Sequence, residues 1–442
     1  MAGARQAALT ALERCRRSGA WSDAVLGGVM DSAGLDARER ALCAQLCAGV
    51  MQQMYLLDYY IGCYCTTRPE KLEPKLLDLL RLSAYQIIFL DRIPNSAAVY
   101  EGVKLCRALG YARAAGLVNA VLRRVSENAE NLPPVRADDP VKELSVKYSC
   151  PEHLTRCVTD MLGFGQGEAL LRAQNEPVPV TVQCNTLRTD TTALLSSLRA
   201  HGVDAEMHPF LPDCLTLERA GAIAGLEEFR AGWFYVQDAA AKLAVMAAGP
   251  RPGDRVLDVC AAPGGKSFAA WLLSGGGARI TACDLHENKL RRIRAGAERL
   301  GIENLGTHAA DGRVFRPEWE SAFDLVIADV PCSGLGVIRK KPDIRYKNPA
   351  DFAALSGIQG AIADNAARYV KPGGTLLYST CTFREEENAA IVSAFLSDHP
   401  GFRAEDFALP GGLASNGGCL QLLPHIHGTD GFFIAKLIRI FD

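Results

Sequence analysis

The chain has no run of about 18 consecutive apolar residues, so the segment that a membrane-spanning helix requires is missing. Its opening residues, Met1-Ala2-Gly3-Ala4-Arg5, lack the apolar core of a secretory signal, and Leu9 and Leu12 fit the first helix of a domain instead. No Cys-x-x-Cys occurs among its 15 cysteines. The close pairs Cys43/Cys47 and Cys63/Cys65 have no second pair to complete a zinc set, so no metal site is expected. Reduced thiols in a cytoplasmic protein fit this pattern. Excess charge is also missing: 48 Lys+Arg against 50 Asp+Glu leave a net charge of -2. Any attraction to nucleic acid must therefore come from where the cations lie rather than from their sum. There is no internal repeat and no low-complexity tract, and neither GxGxxG nor a P-loop occurs, which disfavours a pyrophosphate-binding dinucleotide site.

What is present is 442 residues, 48% hydrophobic and 22% charged, a soluble globular composition too long for one ordinary core. Residues 1–134 read as helices. Leu76, Leu79, Leu80, Leu82, Tyr85, Ile87, Ile88 and Leu90 mark one that must be buried, and Asn131-Leu132-Pro133-Pro134 ends the domain. Residues 141–236 read as a small α+β insert, with a helix over Pro151–Ala173, a strand over 178–182 and a helix over Thr191–Ala200. From 237 to 442 the pattern is strand, turn, helix, repeated. Strands end near Asp258, Cys283, Asp311, Asp329 and Thr380, and a helix from Phe352 to Tyr369 is stopped by Pro372-Gly373-Gly374. Parallel strands joined by helices predict a doubly wound, Rossmann-like α/β sheet.

In such sheets ligands bind at the carboxyl edge of the strands. Asp258-Val259-Cys260-Ala261-Ala262-Pro263-Gly264-Gly265-Lys266-Ser267 links the first strand to the first helix. Its small residues let a ligand approach the backbone, and the helix N-terminus offers N–H groups to a carboxylate or phosphate. Asp284, 19 residues beyond Gly265, stands where an acid takes both hydroxyls of a ribose, and Asp311 where one could meet the adenine edge. S-adenosylmethionine satisfies these groups better than NAD.

Asp329-Val330-Pro331-Cys332 and, 49 residues after Cys332, Thr380-Cys381-Thr382 put two thiols and a carboxylate at the same edge. Carbon 5 of a pyrimidine is too weak a nucleophile to take a methyl group from a sulfonium, but thiolate addition at carbon 6 makes it an enamine. A carboxylic acid on the ring nitrogen offsets the charge that develops, and Asp329 is placed for that. A second cysteine can assist the departure of the first. Basic side chains cluster at Lys289, Arg291, Arg292 and Arg294 in one helix, and at Arg339, Lys340, Lys341, Arg345 and Lys347 in one loop beside the expected site. The loop is expected to grip phosphates beside the target base.

Asp258–Ser267, the run from Asp329 to Arg345 and the run Tyr378-Ser379-Thr380-Cys381-Thr382-Phe383 resemble the signature motifs of the RNA cytosine-C5 methyltransferases. Gln237-Asp238 and Gly428-Thr429-Asp430-Gly431-Phe432-Phe433 match as well, and the helical domain resembles a NusB-like RNA-binding module. That pairing resembles the bacterial branch acting on 16S ribosomal RNA. The resemblance implies Cys381 as the nucleophile, Cys332 as an aid to product release and Asp329 as the group that orients the cytosine. It implies that Cys260, Ala261, Ala262, Pro263, Gly264, Gly265 and Lys266, with Asp284, Asp311 and Asp329, hold S-adenosylmethionine, and that Lys266 also reaches the base. The implied partner is 16S ribosomal RNA, naked or early in assembly, bound by a monomer. Among the rivals, a DNA cytosine methyltransferase lacks its Glu-Asn-Val motif here, and an amino-group methyltransferase would carry Pro-Pro-aromatic where this chain has Val-Pro-Cys. A transfer-RNA substrate with the same chemistry, and a non-catalytic RNA-binding or antitermination factor, remain open.

Overall fold

The computed structural model of the protein describes residues 3–18, 23–218 and 221–440. They form two compact units, Met1–Glu176 with Ile338–Lys347, and Pro177–Val337 with Asn348–Asp442. No described helix is long and apolar enough to cross a membrane.

The first unit is helical: α1 (Ala4–Ser18), α2 (Asp23–Ser32), α3 (Ala37–Gln52), α4 (Met54–Tyr64), α5 (Pro74–Phe89), α6 (Asn95–Ala108), α7 (Ala115–Glu127), α8 (Pro140–Lys147), α9 (Glu152–Leu162) and α10 (Phe164–Ala173). The leucine-rich run buries Leu76, Leu77, Leu79, Leu80 and Leu82 on several faces of α5, as a helix surrounded by α1, α3, α4, α6 and α7 must. The single helix expected over Pro151–Ala173 is two, because Gly163 takes φ 75 and ends α9. Residues 141–176 pack with this unit rather than with the insert: Leu56 N donates to Ser149 Oγ (3.0 Å) and Gln52 Nε2 to Asn175 O (2.8 Å).

The basic loop also differs from expectation. Arg345 is 1% exposed, and its guanidinium donates to the carbonyls of Gln52 (3.1 Å), Tyr148 (3.2 Å) and Ser149 (3.0 Å) and to Asn175 Oδ1 (3.2 Å). Tyr346 beside it donates to Met51 O at 2.7 Å. Arg345 is therefore an anchor inside the helical unit and is withdrawn as a phosphate contact. Planar Arg, with five donors, suits a site made of carbonyl oxygens. Lys340 and Lys341 are exposed and Arg339 half-buried.

The second unit holds two sheets. The smaller is antiparallel, in order β2-β3-β1-β4, from β1 (Val180–Cys184), β2 (Asp204–Met207), β3 (Cys214–Glu218) and β4 (Phe234–Val236). Between β1 and β2 runs α11 (Thr191–Ala200), whose Leu194 and Leu198 fill its core with Val182, Leu215 and Phe234. After α12 (Glu227–Arg230) the chain enters α13 (Ala239–Ala248) and then the larger sheet.

That sheet runs β10-β14-β9-β8-β5-β6-β7, with β13 also on β14. Its parallel part comprises β5 (Arg255–Asp258), β6 (Arg279–Asp284), β7 (Leu305–Ala309), β8 (Phe323–Asp329) and β9 (Val370–Thr380). Helices α14 (Gly265–Leu273), α15 (Glu287–Leu300), α16 (Ala350–Ala353), α17 (Leu355–Tyr369) and α18 (Ala389–Asp398) connect and flank these strands. Antiparallel β10 (Phe402–Ala404), β13 (Cys419–Leu422) and β14 (Phe432–Arg439) complete it, beside a small ribbon of β11 (Ala408–Leu409) and β12 (Leu413–Ala414). Both faces are covered, so alternate residues join different cores. Val256, Ile280, Leu325 and Leu377 pack with α13–α15, and Leu257, Val326 and Leu376 with α17 and α18. Pro372-Gly373-Gly374 lies within β9, where the pairing with β8 slips between Phe323 and Leu325, rather than ending a helix. β5 and β8 are neighbours although β6 and β7 lie between them in sequence. The chain reverses its direction of travel across the sheet there, and a crevice opens at the carboxyl ends.

Candidate active site

The two thiols meet because of strand register. Asp329 of β8 stands opposite Ser379 of β9, so the three residues that carry the chain to Cys332 and the two that carry it to Cys381 end side by side. Their sulfurs are 3.2 Å apart. The Cys332 S–H bond to the neighbouring sulfur is the main force holding the Cys381 thiol below its ordinary value. Burial and the Asp329 carboxylate oppose it, and the Lys266 ammonium adds to it. The same bond, with burial and the negative Cys381 sulfur, keeps Cys332 well above the ordinary value. The pair therefore holds its negative charge on Cys381.

Asp329 lies beside them and both of its oxygens are engaged: Lys266 Nζ donates to Oδ2 at 2.7 Å, and Ser379 Oγ to Oδ1 at 2.8 Å. Lys266 comes from the first turn of α14 and also stands 4.9 Å from the centre of the Phe432 ring. One lysine thus connects the turn after β5 to the acid at the end of β8.

The turn fits the cofactor expected of it. Gly264 takes φ 110, and a Cβ there would stand 2.5 Å from the Phe268 ring, so only glycine is accommodated. No side chain caps α14, which leaves its first-turn N–H groups free for a ligand carboxylate. At the end of β6, Asp284 Oδ1 accepts from His286 N (3.0 Å) and forms an ion pair with Lys289 Nζ (3.3 Å). These features suit a nucleoside with an amino-acid tail. Two expected members of the site are engaged otherwise. Asp311 gives both oxygens to Arg313 (2.6 and 3.0 Å), which holds its carboxyl down at about 2. Burial, with Asp258, Asp329 and Asp284 nearby, pushes the Cys260 thiol up and keeps it protonated. No group of three or more potential ligands that could hold a metal occurs among the described residues.

Asp258, fully buried, accepts from Ser267 Oγ at 2.7 Å, while Oδ1 has no hydrogen-bond partner. Burial pushes this carboxyl up to about 7 despite the serine. A carboxyl held above its unfolded-state value of about 4 adds stability that is complete below that value and lost as pH rises through about 7. Asp258→Asn is expected to remove up to about 4 kcal/mol of this pH dependence. Melting temperatures of both proteins between pH 4 and 8 check it: parallel curves would assign the buried charge elsewhere.

Sequence reasoning missed the residues that hold the two cysteine loops together. Glu387, with no exposure, accepts from Ser333 N (2.8 Å), next to Cys332, and from Gln359 Nε2 (2.9 Å). Gln359 Nε2 also reaches Pro331 O (2.9 Å), and Ser333 Oγ stands 2.8 Å from Thr382 Oγ1, next to Cys381. Asn388 accepts from Thr380 Oγ1 (2.5 Å) and donates to Thr382 O (3.1 Å). Gly336 N donates to Cys381 O (3.0 Å), and a Cβ on Gly336 would collide with Gly431 O. In sequence, Glu385-Glu386-Glu387 reads as a solvated charge run, and nothing in the pattern marks the third glutamate as buried. Glu387→Ala would leave the Ser333 N–H and the Gln359 amide without their acceptor. It is expected to cost about 2–3 kcal/mol of stability and to lower kcat far more than it raises KM. Unchanged kcat in a variant with the lowered melting temperature would limit Glu387 to folding.

The geometry accords with what the chain is similar to. A family model described as "16S rRNA methyltransferase RsmB/F" matches residues 245–438. The NusB family matches 2–127, and "Methyltr_RsmF/B-like, ferredoxin-like domain" matches 150–224. The Bacillus subtilis (strain 168) protein named "Probable ribosomal RNA small subunit methyltransferase B" is 37% identical, covering 98% of each chain. The Pseudomonas putida (strain KT2440) protein named "Ribosomal RNA small subunit methyltransferase B" is 35% identical over 92% of each. The solved structure of a protein called PH0851 superposes with a TM-score of 0.80 at 26% identity, covering 98% of both chains.

Proposed function

The chain belongs to the 16S rRNA methyltransferase RsmB/F family, and on that premise we propose that it methylates carbon 5 of a cytosine in 16S ribosomal RNA through a covalent bond between Cys381 and carbon 6. The observation that carries the assignment is the meeting of two thiols 3.2 Å apart with the Asp329 carboxylate, held by Lys266, at the carboxyl ends of β8 and β9.

S-adenosylmethionine supplies the methyl group as an electrophilic sulfonium. The first-turn N–H groups of α14, with Cys260, Ala261, Ala262, Pro263, Gly264, Gly265 and Lys266 around them, would hold its amino-acid end, and Asp284 would take its ribose hydroxyls. Asp311, paired with Arg313, would border the adenine. Asp329, fixed as a carboxylate by Lys266 and Ser379, orients the cytosine by accepting from its amino group, and the Lys266 ammonium is the donor beside it for the ring nitrogen. The Cys381 thiolate adds to carbon 6 and the ring electrons move to carbon 5, which would then take the methyl group as the S–CH3 bond of the sulfonium breaks and a neutral thioether leaves. Once Cys381 is a thioether it carries no charge, so one of the causes that keep Cys332 protonated, beside burial and Asp329, is removed. Cys332 can then give its proton to solvent, accept the carbon-5 proton and let Cys381 depart as a thiolate. One proton leaves per methyl group transferred, and both thiols are restored. Cys332 thus becomes a base only after the adduct has formed.

The target base must be unstacked, which favours single-stranded or junction sites in naked or early-assembly RNA. Arg339, Lys340 and Lys341 remain the proposed phosphate contacts of the basic loop. The protein acts as a monomer in the cytoplasm, with residues 1–134 and the 141–236 region serving RNA binding and 237–442 the chemistry. The test is methyl transfer from labelled S-adenosylmethionine to 16S transcripts and to transfer RNA, with the product base identified. Labelled 5-methylcytosine in 16S RNA alone supports the reading. Label in transfer RNA replaces the substrate, and binding without label replaces the activity.

A further inference from the structure

The helical unit has a surface feature that the chemistry above does not use. Between α6 and α7 lies an open groove of about 370 Å³, lined by Ser96, Val99, Tyr100, Val103, Asn119 and Arg123, with Ser126 and Glu127 at the α7 end. Its apolar part is Val99 and Val103. Above them stands Tyr100, 66% exposed, an unusual position for a large aromatic ring with no packing duty. The side chains of Ser96, Asn119, Arg123 and Ser126 make no hydrogen bond to other described residues, so the groove is edged by unspent polar groups.

Charge decides what such a groove accepts. The stretch from α6 to α7, residues 95–127, carries five basic residues (Lys104, Arg107, Arg113, Arg123 and Arg124) against Glu101 and Glu127, a local +3 in a chain of net charge -2. All five are exposed, and Lys104, which bonds Glu101 at 3.4 Å, stands 6.0 Å from the centre of the Tyr100 ring. An aromatic ring in a basic, half-apolar groove is the arrangement by which proteins hold unstacked bases of single-stranded RNA. The ring takes the face of a base, the amide and hydroxyls take its edge, and the cations take the adjoining phosphates. A protein partner would better suit a larger apolar face with fewer cations.

We propose that the α6–α7 groove is a second RNA contact, holding an unstacked nucleotide of the substrate RNA against Tyr100, with Arg123 and Lys104 on its phosphates. The proposal rests on RNA being the substrate and assigns how the helical unit holds it. Because Tyr100 and Arg123 are exposed, their replacement spares the core.

The test uses the full chain and a 16S transcript, with Kd measured over a range of salt and methylation followed at varied RNA. Tyr100→Ala is expected to raise both Kd and KM about tenfold with kcat unchanged, and Tyr100→Phe, which keeps the ring, to restore them. Arg123→Glu is expected to weaken binding and flatten the dependence of log Kd on log salt. If both variants bind within twofold of the wild type with its salt slope, the groove is not an RNA contact, whatever else it holds. A wild-type protein that binds no 16S transcript overturns this inference and the proposed function together. A methylating wild type matched by its variants overturns this inference alone.

Discussion

Replacing Cys381 by alanine abolishes methyl transfer, with a loss of at least about 10,000-fold in kcat, while leaving the binding of RNA and of S-adenosylmethionine nearly intact. The size follows from the chemistry: without addition to carbon 6, carbon 5 never becomes nucleophilic. Cys381 is half-buried and packs against the core flanked by α13–α15, so alanine removes the sulfur without opening a large cavity. Cys381→Ser is expected to be inactive too, since a hydroxyl near pH 7 lacks the thiolate's charge. Single-turnover assays with saturating RNA separate this loss from any change in affinity. Residual turnover above about one part in a hundred would mean that another residue carries the adduct.

The second large effect has the opposite character. Cys332→Ala is expected to keep forming the adduct and to fail at releasing it, so protein and RNA accumulate as one slowly migrating band on a denaturing gel, with multiple turnover cut by about 100-fold or more. The reason is the 3.2 Å contact: Cys332 is the group adjacent to the bonded sulfur once the methyl group has moved. The variant also loses the S–H bond that lowers the Cys381 thiol, so its thiolate forms less readily and the acid limb of adduct formation moves to higher pH. A variant that releases product at the wild-type rate would assign the proton to another base, and an unmoved acid limb would remove the hydrogen bond as the cause of the thiolate.

Legibility in the sequence differs from residue to residue. Asp329, Cys332 and Cys381 were readable because each follows a short apolar run that could only be a buried strand, and neighbouring strands bring their ends together. The parallel sheet followed from the alternation of strand and helix, and the turn after β5 from its small residues. Arg345 was not readable. A cation in a charged loop has the same local pattern whether it meets solvent or four oxygens at the ends of α3, α8 and α10, and only burial decides. Glu387 was hidden for the same reason, since two exposed glutamates precede the one that ties the cysteine loops together. Asp311 was placed at the correct edge, but its neighbour Arg313, two residues on, takes both oxygens. Local pattern thus located elements and strand ends, and long-range hydrogen bonds fixed the roles within them.

The most direct measurement is to isolate the protein–RNA adduct from the Cys332→Ala protein, digest both components and identify by mass spectrometry the peptide that bears the nucleotide. The expected product is a methylated cytidine bonded to the peptide that contains Cys381. A nucleotide on any other residue, or no adduct under conditions where the wild type methylates, contradicts the assignment of that sulfur to carbon 6.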